Sequence, residues 1–278
     1  LRFNYIIVYM KILKAHESPI SLMDSVQSQT DYDYALVHHF EKHKDYYNFF
    51  VRALNVGREV ILDNSIFELK SAFDPKEYIK WIDKLMPTYY IVPDVLEDGT
   101  ATVNNFLEWN SNNANAPGMK IGTVQGFTYN EIVECYKFMS DYADYIAISF
   151  DMKYYELIGM GNSPAERRSD GRPRLIDQLI NDGYWNWKKP HHLLGCSLAK
   201  EFKHYKCNNI YNIRSADTSN PVIAGIKEMR YYGDNGLLGE IHLADNEDII
   251  DKDNFSEDQK EAIRYNITEF NNILNGHA

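Results

Sequence analysis

Cysteine is scarce. Cys135, Cys196 and Cys207 are the only three in 278 residues, they lie far apart, and no CxxC pair occurs. A disulfide framework and a four-cysteine zinc site are thereby excluded, and each thiol reads as a small buried hydrophobe. Long apolar runs are missing as well. The best stretches, Tyr5–Met10 and Tyr145–Phe150, fall well short of the roughly 20 residues a membrane span requires. The N-terminus carries neither an apolar h-region nor a small-residue cleavage site, so the expectation is a soluble cytoplasmic protein, in the host cytoplasm if phage-encoded. No period of about 20–50 residues repeats and no low-complexity linker divides the chain. GxGxxG and GxxxxGK[ST] are also absent after the first apolar run, which weakens a nucleotide-binding open sheet.

What is present is ordinary globular composition, 44% hydrophobic and 25% charged, enough for one substantial core. The net charge of -11 argues against casual nucleic-acid binding, because phosphates repel an acidic surface. The charge is uneven, though. Arg167, Arg168, Arg172, Arg174, Lys188, Lys189, Lys200, Lys203, Lys206 and Arg214 face Glu166, Asp170, Asp177, Asp182 and Glu201, a local surplus of about five positive charges. Beyond Gly233 the sign reverses, with Asp245, Glu247, Asp248, Asp251 and Asp253 crowded together.

Short β-branched or aromatic runs alternate with amphipathic stretches. The runs are Asn4–Met10, Tyr34–His39, Glu59–Asp63, Tyr89–Pro93, Lys120–Gln125, Tyr145–Ser149, His191–Cys196 and Ile210–Ala216. Helical spacing predicts Pro75–Leu85 after an Asp74 cap, Thr128–Tyr142 with Glu131 completing a capping box, and Arg172–Tyr184. Strands joined by helical crossovers pair in parallel. An open doubly wound sheet and a closed barrel both fit this alternation. The polar residues at successive strand ends favour an α/β fold of (β/α)8 TIM-barrel type, because in a barrel they converge on one mouth. Residues 1–278 then form a single domain, with 218–278 an extension holding an extended segment over Gly236–Ala244 and a closing helix over Ser256–Leu274.

Asp63, Asp94 and Asp217 each follow an apolar run, and Gln125-Gly126 follows another. Any one Asp could simply cap the next helix. A capping account leaves Asn64, Gln125 and Gly126 unexplained beside them, whereas a ligand site uses all. A carboxylate presents two coplanar acceptors to the N1–H and exocyclic amine of guanine. A Gln amide can donate to O6, and glycine permits close approach of backbone and base. A purine-like heterocycle fits Asp94 with Gln125-Gly126.

These segments resemble the guanine transglycosylases, which exchange guanine in tRNA for a 7-deazaguanine. ILDNSIFEL (Ile61–Leu69) is similar to the family's D-S-G-G-F-Q stretch, VPDVLED (Val92–Asp98) to its base-binding Asp segment, and GTVQGFTYNEI (Gly122–Ile132) to its V-Q-G motif. IAISFD (Ile146–Asp151), HLLGCS (His192–Ser197) and RSADTSNP (Arg214–Pro221) follow in register, over roughly residues 30–221. The resemblance implies Asp217 as nucleophile on C1′, Asp63 as acid/base, and Asn64, Asp94, Gln125 and Gly126 with backbone near Ile146 and Ala147 as the base pocket. Asp151 would meet a basic substituent on the incoming base, of a preQ0 or preQ1 type. No metal or organic cofactor is implied, and the target nucleotide must leave its stack. Two features depart from the tRNA enzymes: no C-x-C-x-x-C zinc subdomain, and Asn64-Ser65-Ile66 in place of Ser-Gly-Gly. The shorter chain is similar to members acting on DNA, so DNA is the expected partner ahead of tRNA. A non-catalytic nucleic-acid-binding barrel subunit and a hydrolase of small N-glycosides remain alternatives.

Arg167, Arg168, Arg172 and Arg174 are expected in a connection beside the mouth, contacting phosphates together with Arg214. His38-His39 and His191-His192 invite a metal site, but neighbours on a strand point to opposite faces, so core or rim histidines are the expectation. The acidic run at 245–253 reads as a solvated loop, lacking the spacing and glycine of an EF-hand.

Overall fold

The computed structural model describes residues 11–206, 211–241, 243 and 248–276. Eight parallel strands alternate with helices in a nearly closed (β/α)8 TIM-type barrel. The strands are β1 (Leu13–Ala15), β2 (Asp33–Leu36), β3 (Val60–Asp63), β4 (Tyr89–Ile91), β5 (Met119–Val124), β6 (Tyr145–Ile148), β7 (His191–Leu193) and β8 (Ile213–Asp217). Their spatial order runs β1-β8-β7-β6-β5-β4-β3-β2. No ladder joins β1 to β2 among the described residues. Asp31 spans that seam, its backbone N–H donating to the Lys14 carbonyl (2.9 Å) and its carboxylate accepting from the Lys14 backbone N–H (3.0 Å).

Alternation within each strand sorts side chains into two cores. Tyr32, Tyr34, Ile61, Ile91, Ile121, Tyr145 and Ala147 pack inside the barrel. Val60, Leu62, Tyr90, Ile146, Ile148 and Ile213 face the helices. One irregularity decides where the last strand points. His191 pairs with Ile213 but His192 pairs with Ser215, leaving Arg214 as an extra residue on β8. Without this bulge Asp217 would share the outward face of Ile213; with it, Ser215 and Asp217 turn inward.

The helix Pro75–Leu85 forms as its sequence predicts. Asp74 accepts from the backbone of Lys76 (2.9 Å) and Glu77 (3.1 Å), Pro75 takes the first turn, and Tyr78, Ile82 and Leu85 form the buried face. Thr128 caps the helix Tyr129–Tyr142, but Glu131 does not close a box with it. The Glu131 carboxylate accepts instead from Gly99 (2.8 Å) and Phe127 (3.0 Å), tying two strand-end connections together. The C-terminal helix Glu257–Asn275 starts with a Ser256/Gln259 capping box. At its end the Asn275 side chain exchanges two hydrogen bonds with the Ile12 backbone (2.8 and 3.0 Å), pinning the approach to β1.

Several sequence expectations need correction. The run Asn4–Met10 lies outside the described residues, and the first barrel strand is Leu13–Ala15. β2 stops at Leu36, after which Val37–His39 form a 3-10 turn. The residues 167–174 are not loop. A continuous helix, Pro164–Asn181, starts at the Ser163 cap and carries them. Gly171 serves close packing within it: a Cβ there would stand 2.3 Å from the Tyr155 carbonyl. No strand forms over the described part of 236–244. Among the described residues no helix is long and apolar enough to cross a membrane.

Candidate active site

The barrel is open at the C-terminal ends of its strands, where a cavity of about 150 Å³ is lined by Glu17, Asp63, Asp94, Gln125, Asp151 and Asp217. Each follows, or ends, a different strand. Positions 63, 94, 125 and 217, dispersed along the sequence, therefore share one wall-to-wall space.

Asp94 is buried and anchors a trio. Its two oxygens accept from the Asn64 amide (2.8 Å) and the Gln125 amide (2.8 Å), while Gln125 Oε1 accepts from the Glu97 backbone (3.1 Å). Burial pushes the Asp94 carboxyl up, and these two amide donors pull it back. Each carboxylate oxygen has a further lone pair, so the trio keeps acceptor capacity toward the cavity. Next to it, Asp63 accepts from the Tyr34 hydroxyl and the Ser65 backbone N–H. Ser65 holds a left-handed backbone (φ 59), the conformation this tight strand-to-helix turn demands. Burial, then the nearby Glu68, push the Asp63 carboxyl well above the ordinary carboxylate range, against the pull of its hydrogen bonds. The remaining surface of Asp63 opens on the cavity. The raised value makes Asp63 a better proton donor than an exposed Asp.

Asp217, which ends β8, is buried and lines the same cavity. The Gly195 backbone N–H donates to its Oδ1 (3.4 Å), and His192 Nε2 approaches the same oxygen to 2.9 Å. That approach lies off the line of the ring N–H, so it is a close polar contact and not a formed hydrogen bond. Behind the ring, His192 Nδ1 meets Ser215 Oγ at 2.8 Å, and Ser215 Oγ meets the Tyr145 hydroxyl. One placement of protons suits the chain: Tyr145 donates to Ser215, Ser215 to Nδ1, and Nε2–H faces Asp217. Such contacts commonly tighten when a ligand binds.

Phe67 and Phe150, with ring centroids 5.2 Å apart, form an aromatic edge to the cavity. Gly195 supports it. Its φ is +52, and a Cβ there would lie 2.6 Å from the Phe150 ring. Gly195→Ala is expected to cost at least about 1–2 kcal/mol for the left-handed backbone alone and to push Phe150 out of place. Urea unfolding measures the first effect. A cost near zero would mean that the loop adopts another conformation.

Other predicted residues fall elsewhere. Ile146 faces the helices and Ala147 the barrel interior, and the backbone of both is engaged with β5 and β7. The wall at β6 is made instead by Ser149, Phe150 and Asp151. Gly126 lets the chain close on the next helix, a Cβ there standing 2.9 Å from the Ile132 backbone nitrogen. Arg172 cannot touch phosphate: it is fully buried, bound to Glu201 (2.6 Å) and to the carbonyls of Leu194 (2.6 Å) and Gly195 (2.7 Å). Arg214 sits at the opposite end of the barrel, paired with Glu59 (2.7 Å) ahead of β3. Arg168 is held by Glu156 (2.7 Å) and Glu240 (2.9 Å), with Asp151 at 3.8 Å. Arg174 pairs with Asp170 (2.5 Å), and Arg167 stands 3.8 Å from Glu156. The sequence surplus of positive charge is largely spent within the fold.

Sequence reasoning missed Glu17, Tyr34 and the role of His192. Burial and the surrounding Glu68, Asp217 and Asp63 push the Glu17 carboxyl well up. Glu68 stands at the rim, exposed on one side, where enclosure by protein and the nearby Asp217 lift it to about 7. An inward His192 was legible from strand parity, since His191 stacks outside on Trp185 (3.8 Å between centroids). The parity argument fails for His38 and His39. On a 3-10 turn their rings lie side by side, with centroids 3.7 Å apart. Compared with protein families and with curated proteins, the chain matches no family model and no curated sequence.

Proposed function

We propose that the cavity exchanges guanine in a nucleic acid, DNA ahead of tRNA, for a 7-deazaguanine through a covalent glycosyl intermediate on Asp217. The observation that carries this reading is the meeting of two carboxyl groups, Asp63 with its raised pKa and Asp217, on one cavity walled by the Asn64–Asp94–Gln125 trio. In the first step an Asp217 oxygen bonds to C1′ as the C1′–N9 bond breaks, and the Asp63 proton goes to the departing guanine. In the second, N9 of the incoming base bonds to C1′, its proton returns to Asp63, and the Asp217–C1′ bond breaks. Asp94 and Gln125 grip the base edge, with Phe67 and Phe150 available to stack. Asp151 and Glu68 at the rim suit an incoming base with a positively charged substituent, as in a preQ1-type precursor. No cofactor enters these steps.

A second reading, turnover of a small N-glycoside, draws on the arginines: paired or buried, they offer little to a phosphate backbone. Labelled guanine offered with duplex DNA, single-stranded DNA, tRNA or free deoxyguanosine separates the readings. Label entering DNA is the expected result; entry into tRNA alone or deoxyguanosine alone favours the respective alternative; entry into none rejects exchange.

The raised Asp63 pKa sets the pH profile. A group that must be protonated keeps activity up to its folded pKa and loses it as pH rises beyond. Activity should therefore persist well above the ordinary Asp range and fall as pH rises through the raised value, and Asp63→Asn should remove activity at all pH values. Folding stability follows the same sign: Asp63 favours the folded state most below its unfolded pKa, and that contribution fades as pH rises through the higher folded value. A rate that already falls above about pH 4, the range of an unperturbed Asp, would contradict the assignment.

A further inference from the structure

We propose that His38, His39 and Asp248 bind one divalent transition ion of the zinc type at the barrel rim, fastening the chain ahead of the C-terminal helix to the turn after β2. Each of the three side chains offers one ligand atom, and these atoms lie within 4.8 Å of one another. Two imidazoles and a carboxylate form a donor set suited to zinc and its neighbours, unlike the all-oxygen sets of calcium and magnesium.

Three independent features point the same way. His39 Nε2 stands 3.6 Å from Asp248 Oδ2. That is too long for a hydrogen bond, but ligands on a tetrahedral ion with bonds of 2.0–2.2 Å sit about 3.4 Å apart. Among the described residues, His38 Nδ1 is buried with no hydrogen-bond partner, a cost that folded proteins ordinarily avoid. Finally, the 3-10 turn Val37–His39 aligns two rings that a continued β2 would send to opposite faces. His43, 3.6 Å from Asp251, repeats the same imidazole–carboxylate pairing between the same two segments and braces the site from outside. Three protein ligands leave the fourth position of the ion to water or another donor.

The test uses the full untagged chain after chelator treatment, with Co(II) as the probe. One Co(II) should bind per chain with the visible bands of a four-coordinate ion, and Zn(II) should displace it and raise the melting temperature. Asp248→Asn removes a half-exposed carboxylate without disturbing the core. It should weaken binding by at least about tenfold, the loss expected even for a residue that only supports a ligand. His38→Gln should do the same while its metal-free melting temperature stays near that of the parent. Absence of stoichiometric Co(II) binding overturns the proposal. So does binding unchanged in both variants, and so does binding lost instead in Glu17→Gln, which would put the ion in the cavity.

Discussion

Asp217→Asn should leave the barrel folded and reduce guanine exchange by about four orders of magnitude or more, the scale on which removal of a nucleophile acts. The substitution keeps size and shape, so the Gly195 backbone and His192 still meet an oxygen or an amide at that wall. What disappears is the lone pair that bonds to C1′ and the charge that stabilises an oxocarbenium-like transition state. A parent protein mixed with substrate and denatured quickly should retain a protein–nucleic acid adduct; the variant should show none. Retention of full exchange by Asp217→Asn would remove the nucleophile from the mechanism. His192→Phe is a gentler probe of the same wall. If His192 positions Asp217, it should lower kcat more than it raises KM.

Arg172→Met should destabilise the protein by about 3–5 kcal/mol, the usual consequence of orphaning one member of a buried pair. Among the described residues Glu201 would keep a buried carboxylate with the Tyr205 hydroxyl (3.0 Å) as its remaining donor, and the Leu194 and Gly195 carbonyls would lose the Arg172 donor. Against a typical stability of about 5–15 kcal/mol, that is enough to leave much of the chain unfolded at moderate temperature. The double variant Arg172→Met/Glu201→Gln should recover a large part, since no buried charge is left. Both values come from urea titration. A single-variant loss below about 1 kcal/mol, the range of an exposed pair, would contradict the burial. Because Leu194 and Gly195 border the cavity, the loss should also reach ligand binding.

Much of this was legible in the sequence. The strands β3, β5, β6 and β8 and the helix Pro75–Leu85 follow from apolar spacing, caps and crossovers. Asp63, Asp94, Gln125 and Asp217 were legible as polar endings to apolar runs, because strand ends in a barrel face one way. The rest was hidden for physical reasons. Charge counting does not distinguish an outward arginine from one buried against a carboxylate, so Arg172 and Arg214 looked like phosphate contacts. Residues 167–174 looked like a connection, because the close approach of Gly171 to the Tyr155 backbone that seats their helix leaves no trace in local sequence. β1 is only Leu-Lys-Ala, too short to outweigh the more apolar Asn4–Met10. Glu17 lies just past that strand and inherited its obscurity. His38 and His39 depend on where β2 ends, a boundary set by the 3-10 turn and not by any apolar period.

The extra residue in β8 makes the register of that strand as consequential as its composition. Were β8 to pair regularly, with Arg214 opposite His192, no side chain of the cavity would change identity, yet everything downstream would turn by half a pleat: Ala216 would look into the barrel and Asp217 would be driven against the helical layer. The Glu59 partner of Arg214, at the far floor of the barrel, thus fastens the kink that aims a carboxylate at the mouth. The aim of Asp217 therefore depends on how β8 pairs with β7 as much as on which side chains β8 carries.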